Sequence, residues 1–232
     1  SNIDFFPSLI KERRFIDTLS NLTIYVDEQS SDKKIFKNIL IKDQEKNSNE
    51  YQIIVIDDGS TDKTSYALEL FKNEIVLIRN KVNKGLPYSL NKGIKNTKSK
   101  YIVRVDSDDY VNEDFLKFLI SYLEQNNYMD AVACDYYKVD NNEDIIERKN
   151  FLENPIACGI LVRTEHLVDI GLYDEKFLLY EEQDLRIRFL KKYNMSRLEL
   201  PLYRYRMHET NITHNKKKMA KHLKKLKKKH NL

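Results

Sequence analysis

Two short apolar runs stop abruptly at carboxylates, and this repeated punctuation constrains the fold of the 232-residue chain more than any other feature. The first runs from Tyr51 to Ile56 and ends at Asp57 and Asp58; the second runs from Tyr101 to Val105 and ends at Asp106, Asp108 and Asp109. Runs this short, bounded by turn residues, read as strands covered on both faces. Gly59 permits a tight turn after the first, and Ser60, Thr61 or Asp62 can cap a helix to about Lys72. A strand at 74–79 follows, then a helix with Pro87 in its first turn, ending near Gly93. Beyond the second run a helix is expected over 112–125, with Phe115, Leu116, Leu119 and Leu123 on its apolar side. Upstream, 22–26 reads as a strand, followed by a helix capped at Ser31 or Asp32 and running to about Glu45. This alternation predicts an α/β fold of one domain, with a mainly parallel central sheet flanked by helices. Ligands of such sheets sit at the carboxyl ends of strands, where both acidic clusters fall.

The second half is less regular. Strands are expected at 130–139, 145–148 and 157–162, a short helix at 164–170, a longer one at 178–193, and an extended segment at 200–207. Residues 1–20 form an amphipathic, helical lead-in, and 215–232 a Lys-rich helix or tail. The remainder divides into halves at 21–110 and 111–214. The net charge of +4 is a property of the tail: residues 215–232 carry nine lysines and no acid, and subtracting them leaves −5. A mildly acidic body does not offer a nucleic-acid-binding face, so no nucleic-acid partner is expected. In the tail Met219, Leu223 and Leu226 make one helical stripe among lysines. It is either solvated or drawn to an anionic membrane surface. Cys134 and Cys158 lie in apolar surroundings and read as free buried thiols of a cytoplasmic protein, peripheral on the membrane if the tail binds it.

Asp106 and Asp108 are two apart in an extended stretch, so their side chains point the same way. Two carboxylates at one spot repel, and a hard divalent cation such as Mn²⁺ or Mg²⁺ relieves the repulsion while binding phosphate oxygens. The competing reading is a polar turn before the next helix, with Asp109 as that helix's cap. Asp57 and Asp58 have a structural alternative too, as turn carboxylates accepting backbone N–H groups. Arg104 interrupts an apolar strand on the side of Asp106; it can pair with that carboxylate or another internal one, or mark an edge of the sheet. Arg204 and Arg206 share one side of an extended segment and can meet phosphate or solvent.

With these residues in view, the chain resembles a family 2 glycosyltransferase of the GT-A fold over roughly residues 20–210. The blocks that carry the resemblance are Ile53-Ile-Val-Ile-Asp-Asp-Gly-Ser-Thr-Asp62, Asn83-Lys-Gly-Leu86 with Asn91-Lys-Gly93, and Val105-Asp-Ser-Asp-Asp109. Asp169-Ile-Gly-Leu-Tyr-Asp-Glu175, Glu181-Glu-Gln-Asp-Leu-Arg186 and Tyr203-Arg-Tyr-Arg-Met-His208 follow in order. The resemblance implies sugar transfer from a nucleotide-sugar donor to a glycan or lipid-linked acceptor with inversion, in cell-surface or capsular polysaccharide synthesis. It makes 21–110 the donor-binding half and 111–214 the acceptor-binding and catalytic half. It implies Asp58, with Asp57 as the weaker candidate, at the donor base. Asp106, Ser107, Arg204 and Arg206 would lie along the nucleotide sugar, and Asp108, Asp106 and His208 at the metal. It puts the catalytic base in the acidic run Glu181, Glu182 and Asp184. Helical spacing favours Glu182, which shares a stripe with Leu178, Leu185 and Phe189 that should face the body. Glu181 and Asp184 fall on a face expected to be solvated, and the alternative for Glu182 is an ion pair with Arg186. The competing functions are a nucleotidyltransferase making nucleotide sugars, or a non-catalytic glycosyltransferase-like binding domain in a larger complex.

Overall fold

The computed structural model describes residues 37–42, 51–207 and 216–232. Among the described residues, nine strands form one sheet: β1 (Lys37–Lys42), β2 (Tyr51–Asp57), β3 (Ile75–Arg79), β4 (Tyr101–Asp106), β5 (Tyr110–Val111), β6 (Ala131–Val139), β7 (Ile145–Lys149), β8 (Ile160–Arg163) and β9 (Met195–Arg206). Six helices among the described residues accompany them: α1 (Thr64–Glu69), α2 (Leu86–Lys95), α3 (Phe115–Gln125), α4 (Thr164–Asp169), α5 (Glu181–Leu190) and α6 (Lys216–His230). The strand order is β3-β2-β1-β4-β8-β6-β9-β5, with β7 paired to β6 outside this path. The sheet therefore runs without a break through both halves of the chain.

The α/β class and the single sheet with flanking helices agree with the sequence reading, but the strand directions differ from a mainly parallel sheet. Only β2–β3 and β6–β9 are parallel pairs among the described strands; the others, including β1 with both β2 and β4, are antiparallel. One reason is local. Residues 37–42, expected inside a helix, form β1, where Ile39, Leu40 and Ile41 suit a position between two strands. The other is that β6 and β7 make a hairpin and β8 returns between β4 and β6, pairings that apolar periodicity does not encode. The expected lead-in at 1–20, the strand at 22–26, the cap at Ser31 or Asp32 and His208 lie outside the described residues.

Two apolar layers sandwich the sheet. One gathers Val55, Val103, Val105, Phe115, Leu119, Leu123 and Tyr203; the other Ile54, Ile56, Leu90, Ile102, Leu185 and Phe189. The alternation along β2 and β4 feeds both, since successive residues face opposite sides. Both cysteines are free and buried.

The Lys-rich segment is not a loose tail. Helix α6 packs on the body, with Leu226 only 2% exposed. Met219 and Leu223 on the same stripe are half-buried, while Lys221, Lys224, Lys227 and Lys228 are exposed. The stripe that would have entered a membrane surface is thus turned inward.

Candidate active site

Register places the two acidic clusters on one rim. Lys37 stands opposite Ile56 on one side and opposite Asp106 on the other, so β2 and β4 run in the same direction and end at the same level. One strand separates them, a distance of roughly 10 Å.

At the end of β2, Asp57 is buried; its Oδ1 accepts from Ser60 N at 2.8 Å, and Arg79 Nε lies 3.6 Å from Oδ2. Asp58 is half-buried and organises the 80–85 loop. Its Oδ1 accepts from Asn80 Nδ2 and Lys84 N, and its Oδ2 from Gly85 N, each at 2.8 Å. Both carboxylates therefore make the backbone contacts of the structural alternative. The loop closes tightly on the turn: a Cβ at Gly59, whose φ is +79°, would come within 2.6 Å of Asn83 N. Pro87 and Gly85 open α2 as the sequence suggests.

At the end of β4, Asp106, Ser107 and Asp108 are half-buried in the turn. Arg104 grips Asp106 with a two-pronged contact, Nε to Oδ1 at 2.7 Å and Nη2 to Oδ2 at 2.8 Å. Its remaining prong, Nη1, reaches Glu181 Oε1 at 3.4 Å. The guanidinium is buried, and it joins the strand end to the first turn of α5. Asp109 is not a helix cap; α3 starts at Phe115, with Asp114 at its cap position. Instead Asp109 is buried, with Oδ2 accepting from Tyr203 Oη at 2.7 Å and Oδ1 from Arg206 N at 2.8 Å. Burial, then the charges of Asp108 and Asp106, push its carboxyl well above the usual range. The Tyr203 hydroxyl also accepts from Asp106 N at 3.2 Å, so one phenol ties both strand-end residues to β9.

Arg204 and Arg206 do share one side of β9, as the extended reading requires. Both guanidiniums stand over the Tyr110 ring, at 5.6 and 5.9 Å from its centre, and Arg206 Nη2 lies 3.5 Å from Glu143 Oε1.

Helix α5 differs most from expectation. It begins at Glu181, after Tyr180 in a left-handed conformation at φ 62°, so Leu178 precedes the helix and is 50% exposed. Leu185 and Phe189 are buried as the stripe predicts. Glu181 and Asp184, expected on a solvated face, are buried too. The reason is neighbours the helical wheel cannot supply: Arg104 from β4 meets Glu181, and Lys229 and His230 from α6 meet Asp184. Glu182 does contact Arg186, with Nη1 at 3.0 Å from Oε1, but the approach lacks hydrogen-bond alignment. Burial raises the Glu182 carboxyl to about 7, with Arg186 opposing and Glu181 reinforcing the shift.

Carboxylate oxygens of Asp106 and Asp109 and the Cys158 thiol lie within 4.8 Å of one another. This trio does not suit a hard cation. Both Asp109 oxygens already accept hydrogen bonds, and burial pushes the Cys158 thiol well above its usual range, keeping it protonated. Asp106 is different: it is only half-buried at the rim, where Arg104 holds it. Half-buried carboxylates such as Asp106 and Asp108 are the donor type that a hard divalent cation takes. Sequence placed Asp109 at this strand end but as a helix cap, and did not single out Tyr203 or Cys158 as parts of this rim. Alternation along β9 could have pointed Tyr203 inward, opposite to Arg204, but no pattern marks Cys158.

Residues 37–188 match the family model described as Glycosyl transferase family 2. Among curated proteins, the bifunctional glycosyltransferase pgtA of Dictyostelium discoideum is 33% identical over 142 residues, covering 58% of this chain and 18% of that protein. The poly-beta-1,6-N-acetyl-D-glucosamine synthase of Staphylococcus epidermidis is 26% identical over 140 residues, covering 59% of this chain and 34% of that protein. The chain thus spans only 18% and 34% of the length of these two relatives. A mannosyltransferase from Pyrobaculum calidifontis, solved with GDP-Man and Mn²⁺, has a similar fold, with a TM-score of 0.59 at 15% identity over 76% of this chain and 54% of that one. With its family match covering well over half of the sequence, the chain belongs to glycosyl transferase family 2.

Proposed function

We infer that the protein transfers a sugar from a nucleotide-sugar donor to an acceptor hydroxyl, with inversion at the anomeric carbon. The observation that carries this reading is the convergence of three acidic segments: the ends of β2 and β4 on one rim, and the start of α5 joined to them through Arg104. Donor and acceptor chemistry need different carboxylates, and the rim offers both. Asp58 and the loop it organises would receive the donor base. Asp106 and Asp108 would hold a divalent cation, Mn²⁺ or Mg²⁺, beside the diphosphate, with Ser107, Arg204 and Arg206 along the phosphates. Bound there, the cation takes up charge on the departing diphosphate oxygens as a Lewis acid. Glu182 would accept the proton of the attacking hydroxyl. A carboxylate raised to about 7 is matched to that task near neutral pH. The fully buried Asp184 is placed to support the helix rather than to touch substrate.

The acceptor would be a glycan or a lipid-linked sugar, in cell-surface or capsular polysaccharide synthesis on the cytoplasmic side of the membrane. The polysaccharide synthase among the relatives supports that class. With the apolar stripe of α6 turned inward, contact with an anionic membrane would rest on the exposed lysines alone and weaken steeply with salt.

A thermal-shift panel of UDP-, GDP-, CMP- and dTDP-linked sugars, each with and without Mn²⁺, tests the reading. A true donor at 100 times its Kd stabilises by about 2.7 kcal/mol. Asp108→Ala should remove the Mn²⁺-dependent part of that shift. If neither EDTA nor Asp108→Ala changes nucleotide-sugar affinity, the metal assignment is wrong.

A further inference from the structure

Asp184 is fully buried, yet its carboxyl is held below the usual range by Arg188, Lys229 and His230. Arg188, on the same helix, donates from Nε to Oδ2 at 2.9 Å. Its other two nitrogens are committed to the carbonyls of Ile170 and Leu172, at 2.6 Å each. The other oxygen, Oδ1, faces α6: Lys229 Nζ lies at 2.6 Å and His230 Nε2 at 2.8 Å. Burial by itself would raise this carboxyl, but hydrogen bonds from Lys229 and His230 and the charge of Arg188 outweigh that and hold it below its usual range.

Helix α6 has a second grip ahead of α5. Lys229 also reaches Asp174 Oδ2 at 2.8 Å, and the ammoniums of Lys225 and Lys229 stand 4.6 and 4.9 Å from the centre of the buried Phe177 ring. The two grips bracket Tyr180, Glu181 and Glu182. That bracketed stretch has little to hold it from within. Tyr180 sits in the left-handed region, which disfavours a non-glycine residue, and α5 has no side-chain cap. Its first turn carries three carboxylates, Glu181, Glu182 and Asp184, which repel one another.

We propose that α6 is a positioning element for the acidic segment: Lys229 and His230 hold Asp184, and through it fix Glu181 and Glu182 against the rim. The catalytic part of this inference rests on Glu182 being the general base; the mechanical part does not. Small displacements of a positioned group are costly, on the order of a hundredfold per ångström. Loss of this grip should therefore lower turnover without weakening donor binding.

The test uses the full chain carrying Lys229→Met together with His230→Gln, beside the single variant Lys229→Arg. Arg188 remains on Asp184 in each, so the buried carboxylate keeps a partner and the fold is expected to persist. Amide hydrogen exchange over 181–190 should rise about tenfold in the double variant, with β2 and β4 unchanged, and Lys229→Arg should stay at the wild-type level. Nucleotide release from UDP-N-acetylglucosamine and from GDP-mannose, each with Mn²⁺, should show kcat falling about tenfold and KM within twofold. Unchanged exchange over 181–190 overturns the proposal, and so does a rise spread over the whole chain, which would report stability rather than position. Exchange decides the grip by itself. Wild-type turnover in Glu182→Gln would remove the base assignment and leave the exchange result standing.

Discussion

Replacing Glu182 by Gln isolates the titration that the site depends on. The Glu182 side chain is 13% exposed, and burial lifts its carboxyl from 4.5 to about 7, against the pull of Arg186. A carboxyl raised in the folded state favours folding most when protonated. That advantage is complete below about pH 4.5 and is lost as pH climbs through 7. The lift is worth about 3 kcal/mol at 1.36 kcal/mol for each tenfold change in acidity. Glutamine keeps the shape and cannot ionise. Relative to wild type, Glu182→Gln should therefore gain about 3 kcal/mol of stability between pH 4 and pH 8, read from urea denaturation at each pH. The same ionisation sets the rate. Only the carboxylate accepts a proton, so nucleotide release should rise through pH 7 and flatten above 8, with roughly a tenth of the plateau left at pH 6. Glu182→Gln should lose most turnover and the pH dependence with it, while donor affinity holds. A stability difference that stays constant from pH 4 to 8 would refute the burial argument, and wild-type turnover in Glu182→Gln would refute the base assignment.

Other substitutions probe the rim one contact at a time. Arg104→Met should cost about 3 kcal/mol in urea denaturation, because it strands the half-buried carboxylate of Asp106 and the buried one of Glu181. Tyr203→Phe removes a hydroxyl that serves both Asp109 and Asp106, and should cost about 2 kcal/mol by the same assay. Asp58→Ala removes the acceptor for Lys84 N and Gly85 N; amide exchange at those two positions should rise while β4 stays protected. Gly59→Ala forces a Cβ onto the backbone of Val82 and Asn83, and its melting temperature should fall by several degrees.

Strands and helices that punctuate themselves in sequence were legible. The apolar runs that became β2 and β4, the Pro87 start of α2 and the Leu119–Leu123 face of α3 follow from local pattern. So did the common rim of the two acidic clusters, whereas the pairing of Arg104 with Asp106 was only one of the partners that pattern left open. Strand direction was not legible, because a run such as 37–42 carries the same apolar residues whether it is wound into a helix or paired antiparallel. Nor was the burial of Glu181 and Asp184. Their place is decided by Arg104, 77 residues away from Glu181, and by His230, 46 residues away from Asp184. A helical wheel has no access to partners at that separation. Asp109 shows the same limit: adjacency to a helix suggested a cap, whereas its real partners are Tyr203 and the Arg206 amide on β9.

The interposed strand β1 acts as a ruler. Because β2 and β4 both lie against it, the spacing between Asp57 and Asp106 along the rim is set by two inter-strand hydrogen-bond steps. Backbone geometry holds each step near 4.8 Å, and no side-chain substitution stretches or shortens it. Divergence among chains built this way can change what stands at each mark, by swapping Asp58, Ser107 or the residues of the 80–85 loop. It cannot change the distance between the marks. A molecule spanning the rim is therefore selected for length by the main chain and for chemical identity by the side chains, and the two forms of selection can be altered independently.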